Sequence, residues 1–590
     1  MPPPRLFLSE VFMNVYCNPL NLEYKYQHYG KAAHREAADP TLIFFKGRYY
    51  LFASMSAGFY FSDDMIHWQR HENRNLELYR YAPDVRQVGD WLVFCASDRQ
   101  HSTIWRTKDP FAEHYEKVSE PFAFWDPDVF EDEDGRVYLY WGCDSGRPIY
   151  GIELDRESFL PVGEKKELIF GKPSEHGFER QDFPGRAKEK RSLAMKMLYF
   201  MMALSGRSEN DPFVEGAFMN KIGGKYYLQY AAPATEVSTY SNGVYIGESP
   251  LGPFTFQQHN PMSSKPGGFI TGAGHGSTIQ DAYGNWWHAA TMRISVNAGF
   301  ERRVGLFPAG VDKDGVLFCN QNYADWPLRI PDGAFDPMGV KPPWMLLSYR
   351  KRGMASSYTE GHEPSLALNE DIRTSWCAKG SAGEWYRLDL GDSYAVHAVQ
   401  INFADVDVPV RKMPKSECSS IQTSNRYIDS GPELHTRWLL EGSEDGETWR
   451  VLCDKREADS DLAHDCVFFE NAETLRYLRL SATELPYGKK VALSGLRVFG
   501  EAKGAAPTAV DKANVVRTDD TTAYLTWAAS ENAIGYNIRY GIAPDKLYAS
   551  HLVYGESSVL LTLLNKGQEY FYAVDSFGEG GITKGSVHPM

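Results

Sequence analysis

The sequence predicts an all-β protein: a five-bladed β-propeller over residues 1–335, followed by further β units over 340–502 and 505–590. Two observations carry this reading. Aromatic residues make up 14% of the 590 residues, alongside 51 Gly and 33 Pro. Aromatics favour strands, and Gly and Pro mark turns. In addition, one pattern returns five times in the first half: a polar residue, Pro or Gly, a short apolar strand, a Gly turn and an aromatic strand.

The first copy runs from Asp39-Pro40 through Gly47 to Tyr49-Tyr50-Leu51-Phe52, and the second from Ala82-Pro83-Asp84 through Gly89 to Trp91-Leu92-Val93-Phe94. The third runs from Asp126-Pro127-Asp128 through Gly135 to Tyr138-Leu139-Tyr140-Trp141. The fourth begins at Glu215-Gly216 and the fifth at His275-Gly276, each reaching its aromatic strand through Gly223-Gly224 or Gly284. A third strand and a turn follow most copies, as in Phe59-Tyr60-Phe61-Ser62 before Trp68. The first two spacings sit near the ~40–50 residues of a four-stranded blade. Separate sandwich hairpins are the alternative, but sandwiches rarely repeat so regularly. The longer gaps require insertions. The largest, near 160–213, holds a segment expected to be helical over 188–197 and to overhang a site.

In a propeller the first strand of each blade lines the central channel, so Asp39, Ala82, Asp126, Glu215 and His275 converge. Strand side chains alternate with period two, which adds Thr41, Asp84, Asp128, Ala217 and Ser277 to the same wall. Ionisable groups gathered at one channel end repel one another and lose solvation unless chemistry or a cation justifies them. Catalysis therefore outweighs structure for Asp39, Asp126 and Glu215. A metal-ligating or orienting role suits His275 as well as a structural one. Asp84 is a substrate-binding candidate by its place on the wall, although structural hydrogen bonding suits it and Asp128 better. Trp125 and Phe59 are candidates for stacking on sugar faces, with blade packing the better account of Phe59. Carboxylates flanked by aromatics are the equipment of glycosidic bond cleavage: one acid protonates the leaving oxygen, one carboxylate activates water, and a third keeps the acid protonated.

Composition excludes other classes. Asp and Glu (77) exceed Lys and Arg (62), giving a net charge of −15, a poor starting point for binding nucleic acid. No apolar run approaches the ~18 residues of a membrane helix. The eight Cys, at 17, 95, 143, 319, 377, 418, 453 and 466, form no CxxC pair. That spacing suggests neither a zinc site nor a disulfide scaffold. Leu6-Phe7-Leu8 is too short for a secretory apolar stretch. The expected location is cytoplasmic, with a secreted or periplasmic one after leader removal as the alternative.

The blade motifs Ala38-Asp39-Pro40, Trp125-Asp126-Pro127-Asp128, Val214-Glu215-Gly216-Ala217 and Gly274-His275-Gly276-Ser277 together resemble those of glycoside hydrolase family 43, over roughly residues 30–330. The resemblance implies a five-bladed propeller and an inverting glycosidase of β-xylosidase, α-L-arabinofuranosidase or endo-arabinanase type acting on an oligo- or polysaccharide. It implies Asp39 as general base, Glu215 as general acid and Asp126 as the group that tunes and orients the acid. It implies that His275 sits beside a calcium, held through water, as the one structural ion; no other cofactor is required. Arg302 matches a substrate-contacting arginine, while Arg303-Val304 depart from the family's Glu-Thr at the next two positions. Tyr81 stands where many members have Trp. The long insertion favours exo action on a chain end. A furanosidase of other specificity, such as a β-galactofuranosidase, and a non-catalytic carbohydrate-binding propeller are the alternatives. The oligomeric state is not legible in the sequence.

Beyond residue 340, Asn369 to Trp376, Glu384 to Gly391, Glu441 to Gly446 with Trp449, and Arg476 to Leu480 alternate as half-buried strands do. The set resembles a coagulation factor 5/8 type C (discoidin) jelly roll, which serves as a sugar-binding module or a structural brace. Leu525-Thr526-Trp527, Gly535 to Tyr540 and Glu569 to Val574 resemble a fibronectin type III sandwich, whose expected job is spacing or packing.

Overall fold

The computed structural model describes residues 14–28, 32–73, 76, 81–181, 211–411, 428–429 and 434–590, less the side chains of 98–101 and 428–429. The helix expected over 188–197 lies outside the described residues.

Each repeat folds into an antiparallel meander in chain order. Blade 1 comprises Ala38–Phe45, Arg48–Ser54, Gly58–Ser62 and Gln69–Glu72. Blade 2 comprises Asp84–Val88, Trp91–Cys95, Trp105–Thr107 and Glu116–Lys117. Blade 3 comprises Asp128–Glu131, Val137–Trp141, Ile149–Leu154 and Pro161–Ile169. Blade 4 comprises Phe213–Ile222, Lys225–Ala232, Ser241–Gly247 and Phe254–Phe256. Blade 5 comprises Thr271–Gln280, Trp286–Arg293, Arg302–Val311 and Leu317–Cys319. The repeated glycines Gly47, Gly89, Gly135, Gly224 and Gly284 all take positive φ, between 57° and 85°. They make the turn from first to second strand in a conformation that costs other residues energy.

The first strands are stitched around the axis by the residues two positions after each repeat start. Thr41 donates to the Pro83 carbonyl at 2.8 Å, Asp84 accepts from the Val129 amide at 2.8 Å, and Asp128 accepts from the Met219 amide at 2.8 Å. Ser277 closes the ring by accepting from the Leu42 amide at 2.8 Å. Around this closure Leu42, Leu51 and Tyr60 of blade 1 form one core with Trp287, Val304 and Leu306 of blade 5, and the N-terminal residues Tyr16, Leu20, Leu22 and Tyr24 wedge into it.

A second group of sheets spans residues 345–500. Two long bent strands, Trp385–Phe403 and His464–Glu484, pair with each other, and Trp385–Phe403 pairs also with Ala492–Gly500. Register shifts near Asp389–Tyr394 and Val396–Ala398 mark the bends. Such bulges let one strand serve both layers of a sandwich. A third group, residues 514–589, has a three-stranded and a five-stranded sheet around a core including Trp527, Tyr536, Ile538 and Val574. It packs against both others: Trp326 donates to the Tyr554 hydroxyl at 2.7 Å and Tyr548 stacks on Phe318 at 4.0 Å on the propeller side, while Tyr349 of the second group lies 5.3 Å from the Tyr554 ring.

Candidate active site

The first residue of every repeat breaks the regular strand. Asp39, Ala82, Asp126 and His275 have φ of 50°, 44°, 51° and 43°, and in the fourth blade Gly216, just after Glu215, has φ 63°. The ladder shifts register at the same place in blades 1, 4 and 5. A left-handed residue in a strand costs on the order of 1–3 kcal/mol and clusters at functional sites. Here it re-aims the side chain, so the expectation that residues 39 and 41, or 126 and 128, line one wall gives way. The first position serves the site and the position two further on serves the stitching.

A hydroxyl near the end of the preceding blade's second strand, or just past it, holds the re-aimed residue in the first three blades. Thr291 accepts from the Asp39 amide at 2.7 Å, Ser54 from the Ala82 amide at 2.7 Å and Ser97 from the Asp126 amide at 2.8 Å. In blade 4 the equivalent group is Cys143, whose thiol donates to Glu215 Oε2 at 3.1 Å.

Asp39 and Asp126 flank His275, and Glu215 lies beside Asp126. The His275 Nδ1 lies 3.4 Å from Asp39 Oδ1 and 3.8 Å from Asp126 Oδ2. One oxygen each of Asp126 and Glu215 and the Cys143 sulfur lie within 4.8 Å of one another. A side chain at position 216 would collide with the His275 ring, its Cβ falling 2.7 Å from ring atoms. Gly216 is thus required by close approach as well as by its φ.

The acids differ in surroundings. Asp39 is buried, which alone would raise its pKa, but the Arg302 guanidinium, His275 and the Ser54 and Thr291 hydroxyls outweigh burial and hold it below its ordinary 3.8. Arg302 Nη1 donates to Asp39 Oδ1 at 3.0 Å, and Ser54 Oγ donates to Oδ2 at 2.6 Å. Asp126 is pushed up to about 7, chiefly by burial; His275 opposes, and the charges of Glu215 and Asp39 raise it further. Glu215 is half-buried and accepts from Tyr240 at 2.5 Å on Oε1 as well as from Cys143. Burial, then the charges of Asp126 and Glu215, raise the Cys143 thiol far above its usual range, so it stays a proton donor.

The other expected residues divide. Trp125 is half-buried beside Asp126, in a place to wall the site. Arg302 reaches Asp39, Glu36 and Thr235, and its guanidinium lies over the rings of Phe300 (4.9 Å) and Tyr81 (5.5 Å). Phe59 is a correction. It has no exposed surface, stacks on Phe52 at 4.8 Å and packs between blades 1 and 2 rather than facing a sugar. Asp84 is a second correction: it is 2% exposed and committed to the Val129 amide. A calcium held through water at His275 would take most of its 6–8 oxygen ligands from water, with the Asp39 and Asp126 carboxylates, 3.4 and 3.8 Å from the ring nitrogen, as the protein oxygens at hand. Sequence reading missed Cys143, Tyr240 and Phe300. Of these, Cys143 had a signal, since it lies two residues past the aromatic second strand of blade 3 as Ser97 does past that of blade 2.

Residues 33–317 match Glycosyl hydrolases family 43. This part of the chain is a family 43 glycoside hydrolase. The family 43 unit is 26% identical over 268 residues to a beta-xylosidase of Xylanibacter ruminicola, covering 37% of this chain and 78% of that protein. It is 30% identical over 140 residues to a xylosidase/arabinosidase of Bacteroides ovatus (22% and 39% covered) and 26% identical over 259 residues to xylosidase/arabinosidase 43A of Humicola insolens (40% and 73%). The solved structure of the family 43 protein BlXynB from Bacillus licheniformis aligns over 82% of this chain and 98% of its own, at 16% identity and a TM-score of 0.39.

Proposed function

We propose that the protein is an inverting exo-glycosidase that removes terminal pentose or furanose residues, of the β-xylosidase or α-L-arabinofuranosidase type, from plant-type oligo- or polysaccharides. The observation that carries the reading is the division of labour among three carboxylates in one channel. Asp39 is held ionised by Arg302 and His275, which suits a base that takes a proton from water as that water attacks the anomeric carbon. One oxygen each of Asp126 and Glu215 lies within 4.8 Å of the other, so their charges repel, and Asp126 keeps its proton to about pH 7. In this reading Glu215 delivers the proton to the departing glycosidic oxygen, while the Tyr240 hydroxyl and the Cys143 thiol fix its orientation. Trp125, Tyr81 and Phe300 supply the apolar wall for the sugar ring. The xylosidase and arabinosidase relatives point to the pentose class.

We infer further that residues 340–502 form a discoidin-like jelly roll and 505–590 a fibronectin type III-like sandwich, by the strand motifs and the bent and paired sheets described above.

A panel of aryl β-xylosides, α-L-arabinofuranosides and β-galactofuranosides, followed by ¹H NMR of the first-formed sugar, tests the assignment. Release from a xyloside or arabinofuranoside with inverted anomeric configuration is expected. Retention of configuration, or glycan binding without any release across the panel, contradicts it.

A further inference from the structure

The base is tied to the second unit of the molecule by a buried chain of charges. Glu36 sits on the short strand His34–Glu36, three residues before Asp39. Its Oε1 accepts from Arg302 Nη2 at 2.7 Å and Nε at 3.1 Å, and Arg302 in turn donates to Asp39. Adjacent strand residues point to opposite faces. Arg35 accordingly faces the second unit, where Asp461 accepts from its Nη2 at 2.6 Å and its Nε at 3.2 Å, and Asp405 accepts from Nη1. Asp405 is further held by Tyr26 at 2.7 Å and Lys489 at 2.5 Å. Arg303, which replaces the acidic residue of the family motif, donates to the Arg35 carbonyl at 2.7 Å and to His464 of the second unit at 2.8 Å. Arg35, Glu36, Arg302, Arg303, Asp405, Asp461 and Lys489 are all buried.

These charges interlock across the seam. Arg35, Arg302, Arg303 and Lys489 stand among Glu36, Asp39, Glu301, Asp405 and Asp461. Without Asp405 and Asp461, Arg35 would be a buried cation with no carboxylate of its own on the three-residue strand that carries Glu36. A buried unpaired charge costs several kcal/mol, so the strand would shift to bring Arg35 to water or a new partner, and Glu36 would move with it.

We propose that the second unit is a working part of the catalytic centre: Asp405 and Asp461 hold Arg35 so that Glu36, a positioning residue, keeps Arg302 against Asp39. Glu36 touches no substrate in this account; it acts through Arg302. Arg302 then supplies a fixed positive charge that keeps the base ionised and aimed. The inference rests on Asp39 being the base.

The test is steady-state kinetics on the best aryl glycoside with the full chain, comparing Glu36→Gln, Asp461→Asn and, as a control on the same unit, Glu441→Gln. Glu441 pairs with Arg479 away from this network. Displacing a catalytic group by about 1 Å costs up to about 100-fold in rate, so Glu36→Gln is expected to lower kcat by about 10- to 100-fold with KM little changed. The acid limb of kcat/KM should move to higher pH as Asp39 loses its fixed cation. Asp461→Asn should act in the same direction and more weakly, and Glu441→Gln should match the wild type. Thermal melts establish that each variant is folded; if Asp461→Asn does not fold, Glu36→Gln decides alone. A folded Glu36→Gln with wild-type kcat, or with lowered kcat but an unmoved acid limb, overturns the proposal. Wild-type turnover by Asp39→Asn would instead overturn the reading of the site. An inactive Asp39→Asn beside a fully active Glu36→Gln overturns this inference alone.

Discussion

Asp39 and Asp126 carry the same carboxyl group into the same channel, and their neighbours drive them apart. Asp39 has Arg302 at 3.0 Å; Asp126 has hydroxyl partners and the negative charge of Glu215 nearby. Two adjacent carboxyls hold their last proton to higher pH than either holds one alone. The alkaline limb of kcat/KM is therefore expected near 7, and Asp126→Asn should lower kcat and move that limb to lower pH. Stability follows by linkage. The folded pKa of Asp126, about 7, lies above its ordinary 3.8, so the native state binds the extra proton and loses stability as pH rises between those values. At 1.36 kcal/mol per unit the loss reaches about 4 kcal/mol. Asp126→Asn should thus be less active but more stable than the wild type at pH 7–8, with the gap closing towards pH 4. Equal melting temperatures at both pH values would contradict the account. Much of this scale was legible in the sequence, because a repeat puts equivalent residues on one axis. The partners were not: Tyr240 comes from a loop after the second strand of blade 4, and nothing in its local sequence marks it.

At the scale of the element, the propeller separates two tasks that sequence periodicity merges. A strict period of two puts Asp39 with Thr41 and Asp126 with Asp128. The left-handed turn at each first residue removes that equivalence. The consequence is measurable. Asp84→Ala leaves the buried Val129 amide without its acceptor and should cost about 1–3 kcal/mol of stability. Phe59→Ala empties a core position and should cost about 3–5 kcal/mol. Neither should change KM for the folded enzyme, as measured by chemical denaturation alongside kinetics. A tenfold rise in KM without loss of stability in either variant would return that residue to the binding site. The blade boundaries were readable because a Gly turn and an aromatic second strand recur. The bulges were not, since a residue before Pro or Gly carries no unambiguous sign of positive φ.

At the scale of the whole molecule, the three groups of sheets are joined by shared core rather than strung on linkers. Tyr323 and Trp326, just past blade 5, pack in one cluster with Trp376, Leu388 and Val498 of the second group and with Leu552 and Phe577 of the third. The sequence announced three β units through changes of motif near residues 340 and 505. It did not announce their union, because the joining residues lie hundreds of positions apart: Arg35 meets Asp461, and Trp326 meets Tyr554. Arg303 illustrates the limit. In the sequence it is only a departure from a family motif, whereas in the fold it is a buried bridge to His464.

The central claim is that Asp39 and Glu215 hold opposite ends of one reaction, and leaving-group dependence tests it most directly. Asp39→Asn and Glu215→Gln should be assayed on paired aryl glycosides, one with a dinitrophenolate leaving group and one with an unactivated alcohol. A dinitrophenolate departs without protonation, so Glu215→Gln should keep much of its rate on that substrate and lose about 100-fold or more on the other. Asp39→Asn should lose activity on both, because water still needs its base. Equal losses by Glu215→Gln on the two substrates, or an Asp39→Asn variant that turns over the activated substrate at the wild-type rate, would contradict the account.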